Sequence, residues 1–243
     1  MIETVPETGS TNADLLSRLS SGEAIAEGYW LRAEQQRAGR GRSGRKWLSA
    51  AGNLYASTVV NLRKDDPPAH TLSLVAGTAV WDMLREQIGV NANLHLKWPN
   101  DIIVRKAKIA GILLERTGDS VVVGIGINVR FAPEVESRQT TSIHAVNSSN
   151  ESGPDRILQY LAKEMAYAIS LWRSDGLPGL LRRWSDRAFP IGTGLSVNVG
   201  DGEQAHGTFA GLDQAGSLLL RLENGEVRTI HAGDVSLIAE GKS

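Results

Sequence analysis

The sequence predicts an α+β protein in two parts, a larger helix-and-strand domain over residues 1–190 and a small all-β domain over residues 191–243. Three observations carry this. In the first part, segments with apolar residues at helical spacing are interspersed with short β-rich runs. After Pro190-Ile191-Gly192 the helical spacing stops, and residues 194–238 break into about five short strands. A chain of 243 residues is also long enough for one large and one small core.

Ser10-Thr11-Asn12 precede Leu15, Leu16 and Leu19, with Gly22 beyond, which reads as a capped helix with a stop signal. Residues 24–34 read as a short strand entering the polar, basic run that starts at Gln35. Asn53–Leu62 is β-rich and mostly apolar, hence a buried strand. Leu72–Ile88 has helical spacing and stops at Gly89, a helix packed on a sheet. Leu94–Lys97, Asp101–Val104 and Ile109–Leu114 are short strands, the last two forming a hairpin about Arg105–Lys108. Val121–Val129 is a strand whose glycines mark a close approach. Residues 131–153, polar and rich in Ser and Asn, read as a surface connection. Ile157–Trp172 and Leu177–Trp184 read as helices. In the second part the turns Gly-Asp-Gly, Asp-Gln-Ala-Gly, Glu-Asn-Gly and Ala-Gly-Asp separate strands, as in an SH3-like barrel. The barrel has its own strand pattern, so its loss is expected to hurt activity more than folding of the larger part.

Composition narrows the function. The 26 Lys and Arg are balanced by 27 Asp and Glu, so positive charge is local and a general nucleic-acid binder is disfavoured. Absence of cysteine excludes disulfides, thiolate catalysis and Cys-based zinc sites, and suits a cytoplasmic protein. The five histidines are dispersed, and no apolar run approaches the roughly 20 residues that span a membrane. The N-terminus has neither the basic nor the apolar region of a signal peptide.

The local charge is concentrated in GRGRSGRKW at residues 39–47. GRGRSG matches G-x-G-x-x-G, and Asp65 and Asp66 follow at a dinucleotide-site distance. However, KWLSAAGN is a poor helix start, and that motif works by presenting a helix N-terminus to a pyrophosphate. Two other segments carry chemistry: Lys97-Trp98-Pro99-Asn100-Asp101 at a strand end, and Lys108-Ile109-Ala110-Gly111. Converging, the three make a cationic pocket with one carboxylate able to hold Mg²⁺, suited to a reaction between two anions. Apart, they are three solvated loops.

These residues resemble the biotin protein ligases. The family loop GRGRxGRxW stands as GRGRSGRKW and KWPND is intact at Lys97–Asp101. K-[LI]-A-G-I-L stands as KIAGIL, the upstream S-T-N is Ser10–Asn12, and G-x-G-[IL]-N stands as GIGIN at Gly124–Asn128. The resemblance implies a mixed-sheet catalytic domain, related to class II aminoacyl-tRNA synthetases and lipoate ligases, followed by an SH3-like domain. It implies ATP-dependent attachment of biotin to a lysine of a biotin carboxyl carrier domain through biotinyl-5′-AMP. With S-T-N at residue 10, the form expected is the one without the DNA-binding domain some members carry, hence no DNA partner, as a monomer or homodimer. By the same resemblance Ser10, Thr11 and Gln36 would bond the ureido ring, and Gly39 and Arg40 would meet the valeryl carboxylate. Gly111 would floor the pocket, and Lys108 would lie between carboxylate and α-phosphate. Arg42, Arg45, Lys97 and Asn100 would hold phosphates, Asp101 would help place Mg²⁺, Trp47 would stack on adenine, and Asn128 would bond its edge. Arg40, Arg42 and Lys108 are the catalytic candidates. Ser10 as a mere helix cap, Asn128 as a turn residue and Trp98 as core remain the plainer alternatives. A lipoate-type ligase is the rival function, and a nucleic-acid module a more distant one.

Overall fold

A computed structural model describes residues 1–135, 138–200 and 203–238. Its elements are β1 (Ile2–Thr8), α1 (Thr11–Ser20), β2 (Trp30–Gln36), β3 (Leu54–Asn61), α2 (Leu72–Ile88), β4 (Leu94–Lys97), β5 (Asp101–Val104), β6 (Ala107–Thr117), β7 (Ser120–Ile127), α3 (Ile143–Val146) and α4 (Pro154–Ser185). Then follow β8 (Gly194–Gly200), β9 (Glu203–Leu212), β10 (Leu218–Arg221), β11 (Val227–Ile230) and β12 (Asp234–Leu237).

Among the described residues two sheets form. One is seven-stranded in the order β1-β2-β3-β7-β6-β5-β4, mixed because β1 pairs parallel to β2 while the other pairs are antiparallel. The other is the antiparallel five-stranded sheet β11-β10-β9-β8-β12 of the small part. The Gly-Asp-Gly turn expected between β8 and β9 lies mostly outside the described residues.

Strand periodicity divides the large sheet's faces. Leu54, Ala56 and Val60 on β3 join Val121, Val123, Ile125 and Ile127 on β7 in a core with α2 and α4. Val59 and Val122, pointing the other way, pack with Leu15 of α1 and Leu31. Three α1-side positions carry no bulk: Gly111 on β6 and Gly124 and Gly126 on β7. The face that α1 covers is therefore half core and half trough.

Four local expectations change. β1 has no apolar face to read: it is a mostly exposed edge strand carrying Glu3, Pro6 and Glu7. β2 starts only at Trp30, because Gly28 (φ 84°) and the turn closed by Tyr29 N donating to Ala26 O break the chain before it. Residues 131–153 are more than a surface connection, since Ile143 is fully buried and Thr140 bridges to Lys108. The small part is not self-contained, because its Leu195, Phe209, Leu218 and Val235 belong to the same apolar cluster as Leu96, Trp98 and Trp184. The two helices expected near the C-terminal end of the larger part are both present, meeting within α4 at a break at Gly176 (φ 65°, ψ −165°).

Candidate active site

A cleft of about 270 Å³ opens on the α1 side of the large sheet. Its floor needs glycine. A Cβ on Gly124 would lie 2.2 Å from Asn12 Oδ1, and one on Gly126 would lie 2.6 Å from the Trp47 ring. A Cβ on Gly111 would meet Lys108 Nζ and the Trp47 ring at 2.9 Å each.

The N-terminus of α1 makes a neutral polar wall. Ser10 sits at the cap position, but its side chain makes no capping bond; it lines the cleft instead. Thr11 N donates to Gln36 Oε1 at 2.9 Å, and Thr11 Oγ1 lies 2.7 Å from Ser57 Oγ. These groups offer both donors and acceptors.

The opposite wall is cationic. Residues 39–47 form a short antiparallel tongue: Trp47 N donates to Gly39 O at 2.9 Å, Arg40 bridges Lys46, and Gly41 N donates to Arg45 O at 2.7 Å. The turn is Arg42–Gly44, with Ser43 at φ 55° and Gly44 at φ 71°. No helix follows, which removes the dinucleotide reading. Trp47 turns inward over the glycine floor, with Lys108 Nζ 5.3 Å from its ring centroid and its own buried Nε1 without a partner.

The β5–β6 hairpin supplies the third segment. Asp101 binds Lys108 through Oδ1 and Lys97 through Oδ2, the latter at 3.0 Å. Burial by itself would raise the Asp101 pKa, but the two ammonium charges override it and hold the carboxyl well below the usual carboxylate range. Burial pulls the Lys108 pKa down, and the Asp101 charge opposes that pull. Asn100 Nδ2 donates to Ile112 O at 2.6 Å. The small domain closes the site from above: Lys97 Nζ donates to Val235 O (2.6 Å), Arg42 Nη1 to Gly233 O (3.2 Å), and Arg45 Nη2 to Asp234 Oδ1 (2.5 Å).

The Biotin/lipoate A/B protein ligase family model matches residues 6–131, and the Biotin protein ligase C terminal domain model matches residues 194–238. The chain belongs to the biotin/lipoate A/B protein ligase family. It is 39% identical over 240 residues to the biotin–[acetyl-CoA-carboxylase] ligase of Mycobacterium tuberculosis, covering 96% of this chain and 88% of that protein. It is 35% identical over 223 residues to the enzyme of the same name from Paracoccus denitrificans, covering 88% and 91%. The structure of a biotin protein ligase from Aquifex aeolicus in complex with biotin and ATP superposes with a TM-score of 0.82 at 28% identity, covering 98% of this chain and 99% of that one.

Of the site residues expected for this family, Ser10, Thr11, Gln36, Arg40, Arg42, Arg45, Trp47, Lys97, Asn100, Asp101, Lys108 and Gly111 all line the one cleft. Gly39 and Asn128 do not. Gly39 is buried at the root of the tongue, where a Cβ would meet Trp47 O at 2.8 Å. Asn128 is buried beside the cleft, its amide nitrogen donating to Thr141 O (2.9 Å) and its oxygen without a partner. Trp98 is core, with Nε1 donating to Gly216 O at 3.1 Å. Sequence reasoning missed Arg138 and Asp234, which also line the cleft. The polar run around Arg138 has no periodicity to mark it. Asp234 sits in an ordinary-looking turn, Ala-Gly-Asp.

Among the described residues no three His, Cys, Asp or Glu side chains cluster as a metal site, and no helix is long and apolar enough to cross a membrane.

Proposed function

We propose that this cleft joins biotin to ATP and passes the product to a lysine of a biotin carboxyl carrier domain, as in the carboxylase-modifying ligases the chain resembles. The observation that carries this reading is that a neutral hydrogen-bonding set and a cationic set line one cleft over a glycine floor. One wall is neutral and hydrogen-bonding, the other holds Arg42, Arg45, Lys97 and Lys108. A ureido ring suits the first, and a carboxylate meeting a phosphate suits the second.

Ser10, Thr11 and Gln36 hold the ureido ring, and Gly111 lets the ligand lie close to the sheet. Arg40, at the root of the tongue, meets the biotin carboxylate. The carboxylate oxygen attacks the α-phosphorus of ATP, pyrophosphate leaves, and biotinyl-5′-AMP forms. Lys108 stabilises the negative charge that gathers there, while Arg42, Arg45, Lys97 and Asn100 hold the phosphates. Binding moves the Trp47 ring off Gly111 and Gly126 and onto the adenine, near Asn128. Asp101, already held by Lys97 and Lys108, is the carboxylate of this wall that would help place a Mg²⁺ ion, which would supply further neutralisation of phosphate charge. The carrier lysine's amine then attacks the acyl carbon and AMP leaves.

Residues 1–190 form the catalytic part and 191–243 the C-terminal part, and a reaction that consumes ATP belongs in the cytoplasm. The test supplies biotin or lipoate with ATP and a carrier domain. Labelling is expected with biotin only, and transfer of lipoate alone would refute the reading.

A further inference from the structure

Behind the neutral wall runs a chain of side-chain hydrogen bonds that the reaction above does not use. It begins at Glu115 on β6, whose Oε2 accepts from Asn12 Nδ2 at 2.8 Å, while Leu113 O lies 3.4 Å from the same nitrogen. Two acceptors on one side allow the Asn12 amide one orientation, nitrogen toward β6 and oxygen toward β3. Ser57 Oγ then donates to Asn12 Oδ1 at 2.6 Å. That spends the only proton Ser57 has, which gives the 2.7 Å contact between Thr11 and Ser57 a definite sense: Thr11 donates and Ser57 accepts. The competing acceptor for the Thr11 proton, Gln36 Oε1, is more distant at 3.2 Å and already takes Thr11 N. With its proton turned inward, Thr11 offers the cleft lone pairs.

Two further observations keep the chain in this state. Gly124 leaves the Asn12 amide room to lie flat on β7, where a Cβ would sit 2.2 Å from Oδ1. Thr11, Asn12 and Ser57 are 3%, 3% and 0% exposed, so water does not offer them rival partners.

We propose that Glu115 and Ser57 are positioning residues that fix Thr11 as a hydrogen-bond acceptor, and so select a ligand presenting a ring N–H at that point. The inference rests on the biotin reading above: a cyclic urea supplies such an N–H. Glu115 acts at one remove, because its carboxylate orients Asn12 and each following proton falls into line.

The test uses the full chain as wild type, Ser57→Ala, Glu115→Leu and Glu115→Gln. It measures pyrophosphate release against biotin, against ATP, and against a biotin analogue methylated on each ureido nitrogen in turn. Ser57→Ala and Glu115→Leu are expected to raise the KM for biotin about tenfold. The KM for ATP should stay unchanged, and the preference for biotin over one of the two methylated analogues should shrink. Glu115→Gln keeps an acceptor for Asn12 and is expected to behave as wild type. Should Ser57→Ala lower the melting temperature, the half-buried Glu115 pair decides. The relay is overturned if both variants keep the wild-type biotin KM. It is equally overturned if biotin and ATP KM rise together, or if Glu115→Gln fails as badly as Glu115→Leu. A wild type that releases no pyrophosphate with biotin overturns the biotin reading and this inference with it; an active wild type with unmoved variants overturns the relay alone.

Discussion

The Gly39–Trp47 tongue and the β5–β6 hairpin bring the same sign of charge to one cleft and hold it in opposite ways. In the hairpin, Lys108 is only 8% exposed and shares Asp101 with Lys97. Its charge is in place before any ligand arrives. In the tongue, Arg40 and Lys46 are exposed and have no ion pair among the described residues, while Arg42 and Arg45 reach across to the small domain. A buried cation with a fixed counter-charge is preorganised for a transition state. An exposed one gains its partners from the ligand, and so governs closure and retention rather than the chemical step. The difference predicts which substitutions hurt which step.

The largest effect should come from removing what roofs both regions. Deleting residues 192–243 strips cover from Leu96, Trp98 and Trp184, each large enough to contribute roughly 1.5–3 kcal/mol by burial. The loss is comparable with the whole stability of a typical domain, about 5–15 kcal/mol. Thermal melting of the truncated chain should show a poorly folded protein. A wild-type melting temperature would restore the view that the small domain serves activity alone.

Next comes the hairpin itself. Lys108→Ala should slow adenylate formation roughly ten- to hundredfold, the equivalent of losing a charge-assisted contact of about 1.5–3 kcal/mol, while biotin affinity changes far less. Single-turnover pyrophosphate release against equilibrium biotin binding separates the two. A collapse of affinity with unchanged adenylation would make Lys108 a binding residue only.

Asp101→Asn asks whether the hairpin charge depends on its partner. Burial lowers the Lys108 pKa and Asp101 opposes this, so removing the carboxylate lowers it further. A reaction that needs the ammonium form is lost as pH rises through that pKa, so the alkaline limb of the adenylation profile should move toward neutrality. An unmoved limb would show that Lys108 keeps its proton without Asp101.

The smallest effect on chemistry should come from the tongue. Arg42→Gly removes a contact to Gly233 O and a cation from the closing loop, with the preorganised hairpin untouched. Ordering a loop of this length costs on the order of 10 kcal/mol, and Arg40, Arg42 and Arg45 return about 1.5–3 kcal/mol apiece through charge-assisted contacts, so closure is finely balanced. Adenylate should form and then escape, labelling bystander lysines. An Arg42→Gly enzyme that retained adenylate as long as wild type would erase the distinction between tongue and hairpin.

Local signals in the sequence determined a good deal. Leu72–Ile88 with Gly89 behind it is α2 to the residue, and the turn residues after 190 mark out the strands of the small domain, because helix stops and turns are properties of a few adjacent side chains. KWPND, KIAGIL and GRGRSGRKW were legible as chemistry because each motif is contiguous. Tertiary structure alone decided which of them meet. Asn12 reaches Ser57 across 45 residues and Glu115 across 103, and only the strand register turns Ser57, Glu115 and Gly124 to the α1 face. Ser10, free on paper to cap its helix, makes no capping bond and lines the cleft instead. Arg138 enters the site because Thr140 bridges to Lys108, and Arg45 finds Asp234 because the small domain lies over the tongue. No window of neighbouring residues encodes such meetings. They follow from which face each strand presents and from the apolar core that joins the two sheets.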